Sequence, residues 1–537
     1  MASAYVNLDA LIPREDLAAP ATMDANKAPV IKLSDLEATS LSYAFLRKPD
    51  FQRETANWSP QQILDLVETF LSGNIIPSIV MWKNGKDVFV IDGSHRLSAL
   101  IAWVQDDYGA GAISIKHYQN SIPVAQKTIH DDTRKLIEDR IGTYEQHKAA
   151  ALYPSTTPAP VMERASRMAW REMSVQWVDN STVDQARDAF FRINQGGTKI
   201  DPTEIKLLRS NSSAISISTR AVARGGSGHA YWDIFGEEAN RAETAKLGLQ
   251  IKALLFEPRL IVPIKTLDLP LAGFEYGSHV LPFAFDLIAT TNRIVMPSGT
   301  SKGKWAKEFP DDKSGAATVE FLKKTKKMVE LVLSKERHSL GLHPALYFYS
   351  PDGSFQATTL FNMTHWLMEL YEQKKLNNFV KVRARFEAII MAHPAFVHPP
   401  KNALGSGKRT RARMVELFSQ TLSHLEGGMT ADEAWASLIA EEKFGYLVAA
   451  EAQAKQDAAE GVPGRAFDRA AKSGSYLAQA VSTAIKCPLC QGLMHTNGMV
   501  SDHTEERSKG GSSARDNARQ VHPICNSNRE MNERQAS

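Results

Sequence analysis

The sequence predicts a multidomain α+β protein, and three observations carry that reading. At 537 residues the chain is longer than one hydrophobic core serves, so roughly two to four domains are expected. Hydrophobic residues make up 43% and charged residues 23%, the balance of a chain that buries apolar surface in water rather than in lipid. The patterning also changes along the chain: strand and helix signals alternate up to residue 210, helical periodicity dominates 211–450, and 476–537 is short and punctuated by Cys, His and Gly. Residues 451–475, rich in Ala, Gln, Glu and Gly, are read as a helix followed by a flexible linker that tethers the last segment.

No apolar stretch is long enough to span a bilayer, which predicts no membrane partner. The start, Met1-Ala-Ser-Ala-Tyr-Val-Asn-Leu, has neither a basic n-region nor a sustained apolar run, so a cytoplasmic protein is expected. A net charge of +3 permits nucleic-acid binding only where basic residues cluster.

In the first 210 residues, Ser59 and Gln62 form a capping box with Pro60 at the first helical position. The helix they open carries Ile63, Leu64, Val67, Phe70 and Leu71 and stops at Gly73. Strands are expected over 78–82 and 88–91, joined through Asn84-Gly85, and Leu97, Leu100, Ile101 and Trp103 mark a following helix. Asp92-Gly93-Ser94-His95-Arg96 therefore sits on a strand-to-helix turn. Free N–H groups at a helix start favour an anion, and Arg96 has the reach to grip one bidentately; a purely structural Asp-Gly turn is the alternative. Arg53 and Arg192 read equally as phosphate contacts or as ion-pair partners of acids such as Asp92 or Glu204.

The middle region predicts helices over 238–256, 318–333, 355–371, 379–393, 412–425 and 431–440, with Gly, Pro and Ser between them. Its basic clusters surround Trp305, run from Lys323 to Lys327, and comprise Lys408, Arg409, Arg411 and Arg413. A solvated helix face accounts for any one of them, but the last follows Gly405-Ser-Gly407 and is the one expected to touch a DNA backbone.

The last fifty residues carry the most chemistry. Cys487/Cys490 and His522/Cys525 are two pairs, each spaced for one tight turn, and such pairs meet at a tetrahedral Zn²⁺. All three cysteines of the chain fall in this clamp, so none is left for a disulfide framework. Asn497-Gly498 between Leu493-Met494 and Met499-Val500 predicts a hairpin whose second strand delivers Asp502-His503, with His495 as a solvated hairpin residue. A Gly510-Gly511 loop, Asn517 and a helix-compatible run carrying Asn526 follow.

That order, D-H, then Asn, then H-x-x-C-N, resembles the HNH nuclease family and its zinc-stapled ββα-metal module. The resemblance implies that His503 activates a water against a phosphodiester. It implies also that Asp502 and Asn526 hold a Mg²⁺ or Mn²⁺ ion and that Asn517 fixes the His503 imidazole through a backbone contact. Two departures are Asn526 where His is commonest and His522 as one zinc ligand; Asn keeps an oxygen for a hard cation. Separately, the series F-Q-R, W-S, I-D-G-x-x-R-L and F-x-R-I-N-x-G-G over about residues 40–210 resembles the N-terminal domain of GmrSD-type restriction endonucleases, on a ParB/sulfiredoxin-like core. In that family the domain binds and hydrolyses a nucleoside triphosphate and helps to recognise modified DNA. The matching positions are Gln52, Arg53, Asp92, Gly93, Arg96, Arg192 and Asn194, GTP being one candidate ligand. Ser94 and His95 replace the two glutamines of the usual DGQQR, a departure that bears on hydrolysis more than on binding.

Together these imply a bacterial or phage-encoded defence nuclease acting on modified or foreign DNA, its cutter licensed by a nucleotide-binding sensor; a homo-oligomer is compatible with the sequence. The alternatives are a ParB-like DNA-binding regulator with a structural zinc tail, and a toxin acting on RNA. Asp502-His503 with Asn526 argues against the regulator, which has no reason to keep a base beside two hard-metal ligands.

Overall fold

Six strands in the first part of the chain form one mixed sheet: β1 (Arg14–Glu15), β2 (Val30–Lys32), β3 (Leu46–Pro49), β4 (Ile79–Asn84), β5 (Asp87–Asp92) and β6 (Glu172–Val178), in the order β1-β3-β5-β4-β6-β2. The computed structural model describes residues 5–15, 27–49, 52, 55–120, 122–153, 158–178, 185, 202–275, 279–295, 309–398, 408–459 and 466–528. By its internal contacts the chain divides into two units, residues 1–245, 276–282 and 297–315 forming the first and residues 246–275, 283–296 and 316–537 the second. Among the described residues no helix is long and apolar enough to cross a membrane.

In the first unit β4 and β5 are antiparallel and closed by a tight turn with Asn84 opposite Asp87, where Gly85 takes φ +58°. The expected capping box is formed: Ser59 accepts from the Gln62 N–H, and Gln62 reaches back to the Ser59 N–H at 2.9 Å. The helix it starts, α1 (Pro60–Leu71), buries Ile63, Leu64, Val67, Phe70 and Leu71 against α2 (Ser94–Gln105) and the sheet, and Gly73 follows it at φ +84°. Gly93 precedes α2 at φ +87°, and a Cβ there would stand 2.4 Å from Ile79 Cδ1, so the turn needs glycine twice over.

Beside this core lies a buried ionic node. Asp9 is 2% exposed and binds Arg14 at 2.7 Å, Lys48 at 2.8 Å and Arg224, on α3 (Ala214–Arg224), at 3.3 Å. It also accepts the Thr55 N–H at 3.0 Å. Burial pushes the Asp9 carboxyl up, but the three cations outweigh it and hold it well below the usual carboxylate range. Burial takes Lys48 down to about 8. His117 and His229 near the node are kept neutral, pushed by burial to about 4 and about 3.

The second unit is helical up to its last forty residues: α4 (Ala316–Val332), α5 (Ala357–Glu372), α6 (Leu376–Ala392), α7 (Lys408–Glu426), α8 (Ala431–Ile439), α9 (Tyr446–Ala459) and α10 (Arg469–Ser482). Its centre is aromatic: Trp366 lies parallel to Phe386 with ring centroids 5.6 Å apart, and Phe379, Phe396 and Phe418 close the cluster. The short terminal module contains β7 (Val500–His503) paired antiparallel with β8 (Ala518–Val521), then α11 (Pro523–Ser527).

The helices from 316 onward and the terminal module lie in one unit, and most of α9 and the start of α10 fall in the stretch read as a helix and linker. On α10 the Ser473 hydroxyl accepts the Ile264 N–H at 3.0 Å. The expected hairpin needs correction. Thr496–Gly498 is a 3-10 turn, and the paired strands are β7 and β8, joined through the 504–517 loop.

Asp9→Asn should lower the stability of the first unit by about 3–5 kcal/mol, because three buried cations lose their common anion. In the parent chain the unfolded state takes up protons at His117 and His229 near 6.5 while the folded state does not, so stability should fall as pH drops from about 6.5 towards about 4. Asp9 adds its own loss as pH falls through the ordinary aspartate range, where the unfolded carboxyl becomes protonated. Hydrogen exchange across 94–105 as a function of pH reads both effects; a stability independent of pH over that range would contradict the assignment of the imidazoles.

Candidate functional site

Cys487 and Cys490 flank a tight turn in which the Gln491 N–H bonds the Cys487 carbonyl at 2.8 Å and the Cys487 N–H bonds the Gly492 carbonyl at 2.9 Å. His522 caps α11, Pro523 fills its first position, and one helical turn brings Cys525 beneath the imidazole. The ligand atoms of all four side chains lie within 4.8 Å of one another. Cys487, His522 and Cys525 are 0% exposed and Cys490 is 9% exposed. All three thiols are free of disulfides.

His522 Nε2 lies 3.0 Å from the Leu493 carbonyl, which makes it the N–H donor and leaves Nδ1, 3.3 Å from Cys490 Sγ, facing the sulfurs. Hydrogen bonds from Cys490 and Cys525 hold the Cys487 thiol far below its usual range, and donating to Cys487 pushes Cys490 up to about 12. Three soft sulfurs and one imidazole, buried and convergent, fit a closed tetrahedral zinc site without an open position for chemistry.

The residues that the sequence marks as candidates for hydrolysis lie on the strands and helix of the same module. Across the β7–β8 pair Asp502 faces Arg519 and His503 faces Ala518. Asp502 Oδ2 accepts from Arg519 Nε at 3.0 Å and Nη2 at 2.9 Å, a bidentate grip that fixes the carboxylate. Arg519 was not anticipated; its place opposite Asp502 follows from the register of a hairpin that the Asn-Gly signal had placed elsewhere. Asn517 braces the loop: its side chain accepts the Glu505 N–H at 2.6 Å and donates to the Glu505 carbonyl at 3.1 Å and the Ser512 carbonyl at 2.7 Å, and its own carbonyl accepts the Thr504 N–H at 2.8 Å. It thereby fixes the backbone two residues after His503. Gly511 is pressed against this brace, since a Cβ there would stand 1.8 Å from the Glu505 carbonyl oxygen. Asn526 follows Cys525 in α11, and α11 packs on β7. His495 is buried rather than solvated: it is 1% exposed, accepts the Asn497 N–H at 3.1 Å, and lies edge-on to His343 with ring centroids 5.4 Å apart.

At the N-terminal turn, Gln52 Nε2 reaches the Ile91 carbonyl at 3.5 Å, which sets Gln52 beside Asp92 and Gly93. Arg96 closes on its own turn, Nη2 to Asp92 Oδ2 at 2.7 Å and Nη1 to the Pro77 carbonyl at 2.7 Å. It is therefore the ion-pair partner of Asp92, a role the sequence suggested for Arg53 or Arg192. Ser94 and His95 are 4% and 8% exposed, with the His95 ring 5.8 Å from that of Trp58. Arg53, Arg192 and Asn194 lie outside the described residues.

Of the expected DNA-binding cluster, Arg413 is exposed, while Arg411 is half-buried and donates to Thr290 Oγ1 at 3.2 Å. Burial lowers its pKa, so Arg411 belongs to helix packing rather than to an open basic face. The side chains of Lys408 and Arg409 lie outside the described residues.

Residues 33–211 match the family model described as GmrSD restriction endonuclease, N-terminal domain. That stretch contains the strand-to-helix turn at 92–96 and supports a restriction-endonuclease type of N-terminal domain; the C-terminal motif lies outside it. No curated protein and no solved structure matches the chain.

Purified protein should hold about one zinc per chain, and Cys525→Ser should abolish retention of the metal and raise hydrogen exchange across β7 and β8. Elemental analysis finding no zinc in folded protein would remove the metal from the account.

Proposed function

We propose that this chain is a metal-dependent DNA endonuclease of the restriction type, with the β7–β8–α11 module as the cutter and the N-terminal unit as a nucleotide-binding sensor of DNA modification. The observation that carries it is the order Asp502-His503, Asn517, His522-Pro-Ile-Cys525-Asn526 on two strands and a helix pinned by a Cys₃His cluster. The family match over 33–211 supports the class independently, since a restriction endonuclease acts on DNA.

In this reading His503, at the end of β7, takes the proton from the attacking water, and the Asn517 brace keeps the following loop from swinging across it. Arg519 orients the Asp502 carboxylate, and Asn526 is presented from α11 by the same helical turn that carries Cys525. Asp502 and Asn526 offer hard oxygen ligands to a Mg²⁺ or Mn²⁺ ion, which when bound neutralises charge developing on the phosphate. The zinc cluster has no open position and supplies geometry only.

A triphosphate at the Asp92–Arg96 turn is the regulatory half of the proposal. It changes cutting only if it binds the restrained and cutting states with different affinity.

His503→Ala should lower the rate of plasmid cleavage by roughly two to four orders of magnitude while zinc content and DNA binding stay as in the parent. Equal cleavage by the variant would mean that the base has been misassigned. Arg96→Ala should weaken triphosphate binding in calorimetry and alter the dependence of cleavage on DNA modification. A parent protein that binds no triphosphate, or a variant that loses binding with cleavage unchanged, would refute the coupling.

A further inference from the structure

We propose that Arg383 and Glu387, about a hundred residues before the metal motif in sequence, are the outer supports of the Cys₃His centre, so that helix α6 is a working part of the metal site. The proposal rests on the zinc reading above and goes beyond it, because these two residues belong to no motif.

Both lie on α6, are 0% and 2% exposed, and pair with Nε to Oε1 at 2.6 Å. Burying an ion pair in a helical core is unfavourable unless its remaining hydrogen-bonding capacity is used, and here much of it is directed at the metal motif. Glu387 Oε2 accepts the Leu493 N–H at 2.7 Å. Arg383 Nη2 donates to the Leu493 carbonyl at 3.3 Å, the same oxygen that receives the His522 Nε2–H at 3.0 Å. The peptide just past the Cys487–Cys490 turn is thus held at both ends, and the carbonyl that sets the tautomer of the metal-facing imidazole is set in turn by α6. On the other side, Arg383 Nη2 donates to the Gly341 carbonyl at 3.2 Å and Nη1 to the Leu340 carbonyl. The strip that includes them also takes the Ile524 N–H, through the Ser339 carbonyl, at 3.1 Å.

Charge argues the same way. Three thiolates and a neutral imidazole around Zn²⁺ leave one net negative charge in a buried place, and Arg383 Nη1 stands 3.4 Å from His522 Nδ1. Carboxylates and carbonyls behind a metal-bound histidine usually tune its basicity; here a guanidinium beside the imidazole also offsets the excess charge of the centre. Gly492 makes room for the guanidinium, and Gly341 for His522 and the 498 backbone. A Cβ on Gly492 would stand 2.4 Å from Arg383 Nε, and one on Gly341 would stand 2.5 Å from the Gly498 carbonyl oxygen and 2.8 Å from His522 Cδ2.

The test is zinc release from the full-length protein to 4-(2-pyridylazo)resorcinol, with a control for general loss of stability. Glu387→Gln, Arg383→Lys and Gly492→Ala should each release zinc roughly 10–100-fold faster than the parent, as expected when an outer partner of a metal ligand is lost. The control is Phe379→Leu, which weakens the same helix in its aromatic core, with ring contacts to Trp366 and Phe386. At an equal fall in Tm it should change release by less than about threefold. Release at the parent's rate in Glu387→Gln, or equal acceleration in the control, overturns the proposal; where Arg383→Lys or Gly492→Ala fails to fold, Glu387→Gln decides alone. A parent that contains no zinc refutes the metal reading itself, and this proposal with it.

Discussion

The meeting of Cys487, Cys490, His522 and Cys525 within 4.8 Å is the constraint on which the terminal module depends. Between residues 486 and 528 its buried apolar side chains are few, chiefly Leu493, Met494, Val521 and Ile524, too small a core to order forty residues by burial alone. The two ends of the module call for something stronger than apolar contact, and sulfur–metal bonds at the proposed zinc centre would supply folding free energy directly. Once they are joined, β8 runs straight into His522, its partner β7 presents Asp502 and His503, and α11 presents Asn526. The spacing between the proposed ligands would thus set the positions of the proposed hydrolytic residues, which accounts for the cluster and the D-H…N…N order occurring in one short segment.

The first unit meets a related difficulty with ions instead of a metal. β1 is only two residues long, and its apolar surroundings alone specify its place weakly. Arg14 from β1, Lys48 from β3 and Arg224 from α3 converge on one buried carboxylate. Desolvating these charges opposes folding, so the node is better understood as discriminating than as stabilising. Any arrangement that moves β1 or α3 elsewhere strands at least one charge in a low-dielectric interior, and such arrangements are excluded by several kcal/mol.

What the sequence made legible was local. The Ser59/Gln62 capping box, the turn after Asn84, the glycine before α2 and the cysteine pairs each depend on residues within a few positions of one another, and the structure places all of them as their chemistry requires. The mistakes were non-local. Asn497-Gly498 has the composition of a hairpin turn, yet Asn497 Nδ2 donates to the Glu257 carbonyl and the Thr496 hydroxyl to Asp268, contacts that hold a 3-10 turn instead. His495 looked solvated because nothing nearby in sequence announces His343 beside it. Arg383 and Asp9 carried no signal at all, since a buried ion is recognisable only when its partners, tens to hundreds of residues away, are known.

The same distinction separates the two candidate sites. At the N-terminal turn Arg96 is spent on Asp92 and the Pro77 carbonyl, and the residues that depart from the family signature, Ser94 and His95, lie inside the core. A ligand arriving there meets a turn whose own charges already answer one another, and it gains only what exceeds that internal pairing. At the terminal module Asp502 is likewise held by Arg519, and in the proposed reading that contact gives the carboxylate a defined orientation towards a hard cation. Internal pairing therefore has opposite meanings in the two places: it competes with an anion at Arg96, and it prepares a carboxylate at Asp502. The difference comes from which partner must change hands: an anion has to displace Asp92 from its arginine, whereas the proposed cation would approach a carboxylate that Arg519 has already oriented.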